Sequence, residues 1–390
     1  MTAWDLAVVG AGPAGAATAI GALRADPSLR VALLDRSDFP RDKSCGDGIA
    51  PHVIDLLFTA GVDGIVDDWT PVPRLRLSRD GLVVDGPMQR PTWVIPRTVF
   101  DHRLVEAAQK AGAELVRHRV RDISGTTLDG EHTAQVVVGA DGPHSVVRRS
   151  LGLSPGPMAV AIRGYAPTPP ARRGQQVIVF GGGRQPAYAW AFDRGDGLSN
   201  IGYGELLDAR PKPNRTHLLE QVEALLPGAT GGATDWVGHQ LPLSSGRTPT
   251  QRGPVLLVGD AAGLVNPMTG EGIYYAVATG LSAGRAAAEA IAAGDPGSAG
   301  ARHARTTRAL LGSHLKHIAV AGRLCRSGAV LDAGLRTSAA DKRVFDDLVE
   351  LGLANGKITS RLVRGLARQL AGSALRRPPE DRHHTEETRA

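Results

Sequence analysis

Two patterns of apolar and polar positions alternate along the chain. A near-continuous apolar run, Leu6-Ala7-Val8-Val9, reads as a strand buried on both faces, and the small residues 16–23 that follow read as a helix. A second apolar run, Val31-Ala32-Leu33-Leu34, ends in Asp35. The runs Val136-Val137-Val138-Gly139 and Val255-Leu256-Leu257-Val258 repeat the design. One leads into Ala140-Asp141-Gly142 and the other into Gly259-Asp260, which places both strands beside the first pair in one parallel sheet. Between about 155 and 245 the runs become shorter and are cut by Gly-rich turns, at Gly181-Gly182-Gly183 and Arg194-Gly195-Asp196-Gly197. Residues 175–180, 187–192 and 199–203 there read as antiparallel strands. From residue 300 the spacing is helical, as in Thr307-Arg308-Ala309-Leu310-Leu311.

Composition narrows the class. With 390 residues, 42% of them hydrophobic, the chain buries a full core as one large domain or two closely packed ones. Two cysteines far apart, Cys45 and Cys325, supply neither a disulfide framework nor a Cys-x-x-Cys ligand pair, so no metal is expected and a reducing, cytoplasmic setting fits. No run approaches the roughly 18 apolar residues of a membrane span. The net charge is +6, with basic residues gathered late at Arg361, Arg364, Arg368, Arg376 and Arg377. That stretch leaves a solvated face or peripheral contact with an anionic membrane open. Only 4% of residues are aromatic, too few for base-stacking platforms, which argues against nucleic acid.

The first unit holds the chemistry. Gly10-Ala11-Gly12-Pro13-Ala14-Gly15 lies between the first strand and the first helix, and Asp35 closes the second strand twenty residues after Gly15. Gly10 permits the tight turn, Gly12 lets backbone approach a pyrophosphate, and Gly15 lets helix lie close on strand, while Asp35 accepts from a ribose. This is a dinucleotide fingerprint in its full context, open between NAD and FAD. Asp260, ending a buried strand and opening a Gly-rich segment, is placed to bind a ribityl or ribose hydroxyl. Just past the first unit, Cys45 stands between Ser44 and Gly46-Asp47-Gly48, where a cofactor's working end meets substrate.

With its GxGxxG, internal Asp-Gly turn and late Gly-Asp turn, the chain resembles flavoproteins of the 4-hydroxybenzoate hydroxylase type, and within them the geranylgeranyl reductase family. The segments that carry the family likeness are Phe39-Pro40-Arg41-Asp42-Lys43 with Cys45-Gly46-Asp47-Gly48, Tyr188-Ala189-Trp190-Ala191-Phe192 with Asn200-Ile201-Gly202-Tyr203-Gly204, and Asn266-Pro267 with Gly270-Glu271-Gly272-Ile273. The family places a proline after the strand-end aromatic; here Asp193 follows Phe192.

The resemblance implies an α/β fold: a Rossmann-like FAD-binding domain, an inserted antiparallel β-sheet substrate domain and a C-terminal helical region. The expected boundaries are 1–75, 95–155 and 250–300 for the FAD domain, 76–94 and 156–249 for the sheet, 301–377 for a helical cap, and 378–390 for a disordered tail. It implies FAD held by Gly10, Gly12, Pro13, Ala14, Gly15, Asp35, Arg36, Cys45, Gly46, Gly48, Arg97, Val120, Asp141, Gly259, Asp260, Gly270, Gly272 and Ile273. For Arg97 the alternative is a plain salt bridge to Asp101. Cys45, as proton donor or polar contact, and Tyr188 and Trp190, flanking an apolar ligand from one strand face, are the catalytic candidates. Glu271 is read as positional.

The expected reaction is reduction of a carbon–carbon double bond in an apolar, isoprenoid-type substrate. The alternatives are a flavin-dependent monooxygenase of a specialised metabolite and a non-redox cyclase using FAD as a scaffold. The electron source stays open between NAD(P)H and a reductase or ferredoxin.

Overall fold

The computed structural model describes residues 1–182, 185–207, 212–247 and 253–374. Gly183 of the expected Gly-rich turn, Arg376, Arg377 and the expected tail at 378–390 lie outside the described residues.

The apolar runs assemble as their burial demands. Strand β1 (Thr2–Val9) lies between β2 (Val31–Asp35) and β9 (His132–Gly139), all parallel, with β6 (Glu114–Arg117) beyond β2 and β15 (Val255–Leu257) beside β9. Short strands β7 (Ile123–Ser124) and β8 (Thr127–Leu128) fold back antiparallel beside β9, completing a 7-stranded sheet. Helices α1 (Pro13–Ala25), α3 (Arg97–Lys110) and α6 (Ile273–Ala292) pack together on one face over a core that includes Leu6, Val8, Leu33 and Val138.

The small residues of α1 have a packing cause. A Cβ on Gly21 would stand 2.6 Å from the Leu281 carbonyl oxygen, and one on Gly284 would stand 2.0 Å from that of Thr18. Backbone therefore meets backbone between α1 and α6. That close crossing brings both helix N-termini to the carboxyl edge of the sheet, the usual ligand position in such folds.

The second, 8-stranded sheet has the order β14 (Thr234–Pro242), β10 (Met158–Pro167), β13 (Leu198–Leu206), β12 (Tyr188–Asp193), β11 (Gln175–Phe180), β4 (Val72–Arg79), β5 (Leu82–Val94) and β3 (Gly48–Ile49). It departs from the expected antiparallel sheet at one seam, where β11 runs parallel to β4 with Gln176 opposite Leu75. The reason is topological: β4 and β11 belong to separate stretches of chain joined through the nucleotide domain, so no hairpin fixes their direction. Helices α2 (Pro51–Thr59), α4 (Val146–Ser150) and α5 (Arg215–Leu225) fill the flanks.

The C-terminal region is built mainly of helices, α7 (Ala299–Leu324), α8 (Gly328–Ala340), α9 (Lys342–Leu353) and α10 (Ser360–Ala374). Leu335, Phe345 and Val349 of this layer pack on Leu75, Val84 and Met88 of the second sheet. Buried Arg79 reinforces the contact by bonding Asp332 and the Gly181 carbonyl. Among the described residues no helix is long and apolar enough to cross a membrane.

Candidate active site

A cavity of about 1220 Å³ opens at the carboxyl edge of the parallel sheet and extends, unbroken, beneath the second sheet to α8, α9 and α10. Every residue expected to bind FAD lines it except Gly15 and Gly259, which lie buried behind its wall.

At the nucleotide end the glycines act as their positions require. Gly10 has φ +100, and a Cβ on Gly15 would fall 1.8 Å from the Gly10 carbonyl oxygen. A Cβ on Gly12 would meet nothing nearer than the Arg41 guanidinium at 3.3 Å, so its backbone stands open to the cavity. Helix α1 starts there with no side-chain cap, so its first-turn N–H groups face the cavity, while the start of α6 at Gly272 borders the same space. Asp35 accepts from the Ala11 amide at 2.8 Å and the Ser37 amide at 2.9 Å, tying β2 to the glycine loop. Arg36 and Val120 line the same end. Asp141 accepts from the Val146 amide at 2.6 Å through one oxygen, while its other is buried without a partner among the described residues; burial raises its pKa. An open glycine backbone, the uncapped N-terminus of α1 and an orphaned buried carboxylate oxygen fit a dinucleotide cofactor.

Farther in, Lys43 reaches across to Asp260, with Nζ 3.1 Å from Oδ2. Burial alone would raise the Asp260 carboxyl, but the pairing with Lys43 outweighs it and holds the group below the usual aspartate range. His239 of β14 stands beside this pair. Its burial, with Lys43 near, pushes the imidazole down to about 4 and keeps it neutral. Neither Lys43 nor His239 was assigned a role from sequence. Lys43 stands in one of the segments that carry the family likeness, but its partner lies 217 residues away.

Arg97 is buried and clamps Asp101 in two bonds, Nε to Oδ1 at 2.6 Å and Nη2 to Oδ2 at 2.9 Å, with Arg41 adding a third contact at 3.3 Å. The salt-bridge alternative is thus present, yet Arg97 also faces the cavity beside Cys45. Burial raises the Cys45 thiol above its ordinary value, and the charges of Arg97 and Lys43 offset part of that rise.

Tyr188 and Trp190 share one face of β12, with ring centroids 6.1 Å apart at 60°. The Tyr188 hydroxyl donates to the Thr269 carbonyl, so its proton is committed to holding the Gly270 loop. Trp190 Nε1 donates to Asn200 Oδ1 at 2.8 Å. The same Asn200 donates through Nδ2 to the Cys45 carbonyl and to Asp47 Oδ2, both at 2.8 Å. One buried amide thereby joins the cysteine loop to the aromatic wall, a link that no local motif announces. Glu271 caps α6 by accepting from the Tyr274 amide at 2.8 Å; burial pushes its carboxyl up to about 7.

Beyond the aromatics the cavity is apolar, between Leu75, Leu77, Ile178 and Phe180 of the sheet and Leu331, Leu335, Val349, Leu362 and Leu366 of the helices. Near the nucleotide end, His118, Glu131 and His132 bring ligating atoms within 4.8 Å of one another. Both rings are already engaged: His118 pairs with Asp129 at 2.7 Å, and His132 accepts from the Trp4 indole at 3.3 Å.

Residues 3–176 match the family model described as an FAD binding domain. The chain is 35% identical over 320 residues to the menaquinone reductase of Mycolicibacterium smegmatis, covering 74% of this chain and 76% of that protein. It is 34% identical to the geranylgeranyl diphosphate reductase of Rhodobacter capsulatus, covering 75% and 77%. A solved geranylgeranyl bacteriochlorophyll reductase-like protein from Thermoplasma acidophilum superposes with a TM-score of 0.77 at 20% identity, covering 96% of this chain and 99% of that one. A halogenase solved with FAD shares the fold at a TM-score of 0.65 and 15% identity, covering 96% and 93%.

Proposed function

The chain belongs to the geranylgeranyl reductase family of FAD-dependent oxidoreductases, and we propose that it reduces carbon–carbon double bonds in the prenyl chain of a long, apolar substrate. The observation that carries the proposal is the large cavity, polar at its nucleotide end and apolar from Tyr188 to α10. A flexible hydrocarbon chain would be desolvated along that apolar length and presented to the cofactor at the cysteine loop.

FAD, when bound, supplies the hydride. Gly10, Gly12, Gly15 and Asp35 would hold its adenosine and pyrophosphate end, with Asp141, Asp260 and the start of α6 farther along. Lys43 offsets negative charge near Asp260. The remaining work falls to the chain's own groups. Tyr188, Trp190 and Phe192 pack edge to face and tilted against one another, forming a wall that orients an apolar chain and excludes water. Cys45, kept as a thiol by burial, gives its proton to the alkene carbon that does not receive hydride.

The outer end of the cavity suggests where the substrate comes from. Val363 of α10 is 52% exposed and Leu324 of α7 is 43% exposed, yet both line the cavity. Arg364 and Arg368 stand exposed on the same helix as Val363. An apolar rim flanked by cations suits peripheral contact with an anionic bilayer from which a prenyl lipid enters.

Menaquinone, geranylgeranyl diphosphate and a digeranylgeranyl glycerolipid, each offered to the reduced holoprotein without oxygen, test the reading by mass spectrometry. Gain of two hydrogens on a prenyl unit of any of them supports it. Unchanged substrate in all three, from protein that retains FAD, contradicts it.

A further inference from the structure

Asp47 has an unusual setting. It lies two residues after Cys45, with φ +59, and its side chain is entirely shielded from solvent. Oδ2 accepts from the Tyr165 hydroxyl at 2.5 Å and from Asn200 Nδ2 at 2.8 Å. Oδ1 is buried with no hydrogen-bond partner among the described residues. A carboxylate accepts only, so an ionised Asp47 leaves one charged oxygen unsatisfied inside the protein, whereas a protonated one leaves a neutral O–H there, which costs less. Loop positioning alone accounts for Oδ2 and leaves Oδ1 without a reason.

We propose that Asp47 is the proton reservoir behind Cys45, returning to the thiolate the proton that Cys45 gives to the substrate in each turnover. The proposal rests on the reading of Cys45 as proton donor. In the donor step the Cys45 S–H bond breaks and a C–H bond forms, while the other alkene carbon takes the hydride; the alkene is reduced and the flavin oxidised. In the return step the Asp47 O–H bond breaks and S–H reforms, with no further electrons needed. Asp47 then recovers a proton through Tyr165, a half-buried residue whose hydroxyl donates to Oδ2 and takes a replacement proton from solvent as it passes its own on.

The groups facing Asp47 favour that direction. Arg163 and Tyr165 approach from β10, Asn200 from β13, Arg97 from α3 and Cys45 from its own loop. Arg163 is already engaged by Asp42 and the Asp235 carbonyl. Burial pushes the Asp47 carboxyl up to about 6 despite the hydrogen bonds from Tyr165 and Asn200. Burial also raises the Cys45 thiol, and the Asp47 charge adds to that rise. A thiolate at Cys45 is therefore the stronger base, and the proton runs downhill from Asp47 to sulfur.

Asp47→Asn is the test, because asparagine tolerates a left-handed backbone and its carbonyl still accepts from Tyr165 and Asn200. Two readouts decide. The first needs no turnover: in the FAD-loaded protein the pH midpoint of Cys45 alkylation by iodoacetamide moves down in the variant, and an unchanged midpoint overturns the proposal. The second uses menaquinone without oxygen. The first turnover, drawing on the proton already on Cys45, stays within about twofold of wild type, while steady-state cycling slows about tenfold or more. Equal slowing of both marks a structural role and overturns the proposal. Should Asp47→Asn fail to fold, Tyr165→Phe is read in the same two-rate comparison. Failure of wild type to reduce menaquinone bears on the proposed function and leaves the alkylation result to decide this one.

Discussion

Cys45 is held between opposing influences. Burial pushes its thiol up, Arg97 and Lys43 pull it down, and the balance lies on the high side, so the sulfur carries a proton at neutral pH. Cys45→Ala is expected to purify with its full complement of FAD and to lose about 10²-fold or more in steady-state reduction of menaquinone. Unchanged turnover with intact flavin absorbance removes the thiol from the mechanism. Asp47 yields a thermodynamic expectation as well. Its folded pKa of about 6 lies above the ordinary aspartate value, so its contribution to stability is full below about pH 4 and is lost as pH rises through about 6. Asp47→Asn does not titrate. Its stability relative to wild type should improve by about 2–3 kcal/mol between pH 4 and pH 8, measured by urea unfolding with the cofactor state held constant. No change in that difference contradicts the burial argument. These residues also mark the limit of reading a chain in one dimension. Gly10, Gly12, Gly15 and Asp35 are legible because a strand, a turn and a helix impose them locally. Asn200 and Asp47 bond across 153 residues, and a lone Asn in a strand announces nothing of the kind.

Among the elements, α1 carries the tightest constraint. A methyl group on Gly15 would overlap the Gly10 carbonyl, which no rotamer relieves because the atom struck is backbone. Gly15→Ala is therefore expected to purify without flavin and to lose stability at the upper end of the ~1–3 kcal/mol range of overpacked sites. A yellow variant of wild-type stability contradicts the close helix–strand approach. The small-residue run in α1 was legible as a helix, but its reason, contact with α6 some 260 positions later, was not. The parallel seam between β4 and β11 was hidden for the same cause, since period-two alternation does not encode strand direction. Helix α10 forms part of the apolar arm of the cavity. Leu366→Trp there is expected to raise KM for menaquinone about tenfold while leaving that for a two-isoprene analogue within about twofold. An equal rise for both places the chain elsewhere.

At the scale of the whole molecule, a cavity is polar at its nucleotide end and apolar at the other, with exposed cations and apolar side chains at the far end. If that end rests on a bilayer, Arg364→Glu with Arg368→Glu weakens co-sedimentation with phosphatidylglycerol vesicles by about tenfold or more, given about 1 kcal/mol for each basic residue near the surface. Binding that is equal for wild type and variant contradicts the membrane reading. The two-part architecture was legible in sequence because its Rossmann strands, turns and late helices each have strong periodicity. How the helical layer closes over the second sheet was not, since Leu335, Phe345 and Val349 meet Leu75 and Met88 only in the fold.

In the proposed reaction, electrons leave the reduced cofactor for a prenyl double bond. The most direct measurement follows flavin absorbance after the anaerobically reduced holoprotein is mixed with menaquinone. Reoxidation without oxygen, accompanied by a product with two added hydrogens on its prenyl chain, is the expected result. Reoxidation only when oxygen is admitted, with a product bearing a new oxygen atom, would contradict it and make the protein a monooxygenase.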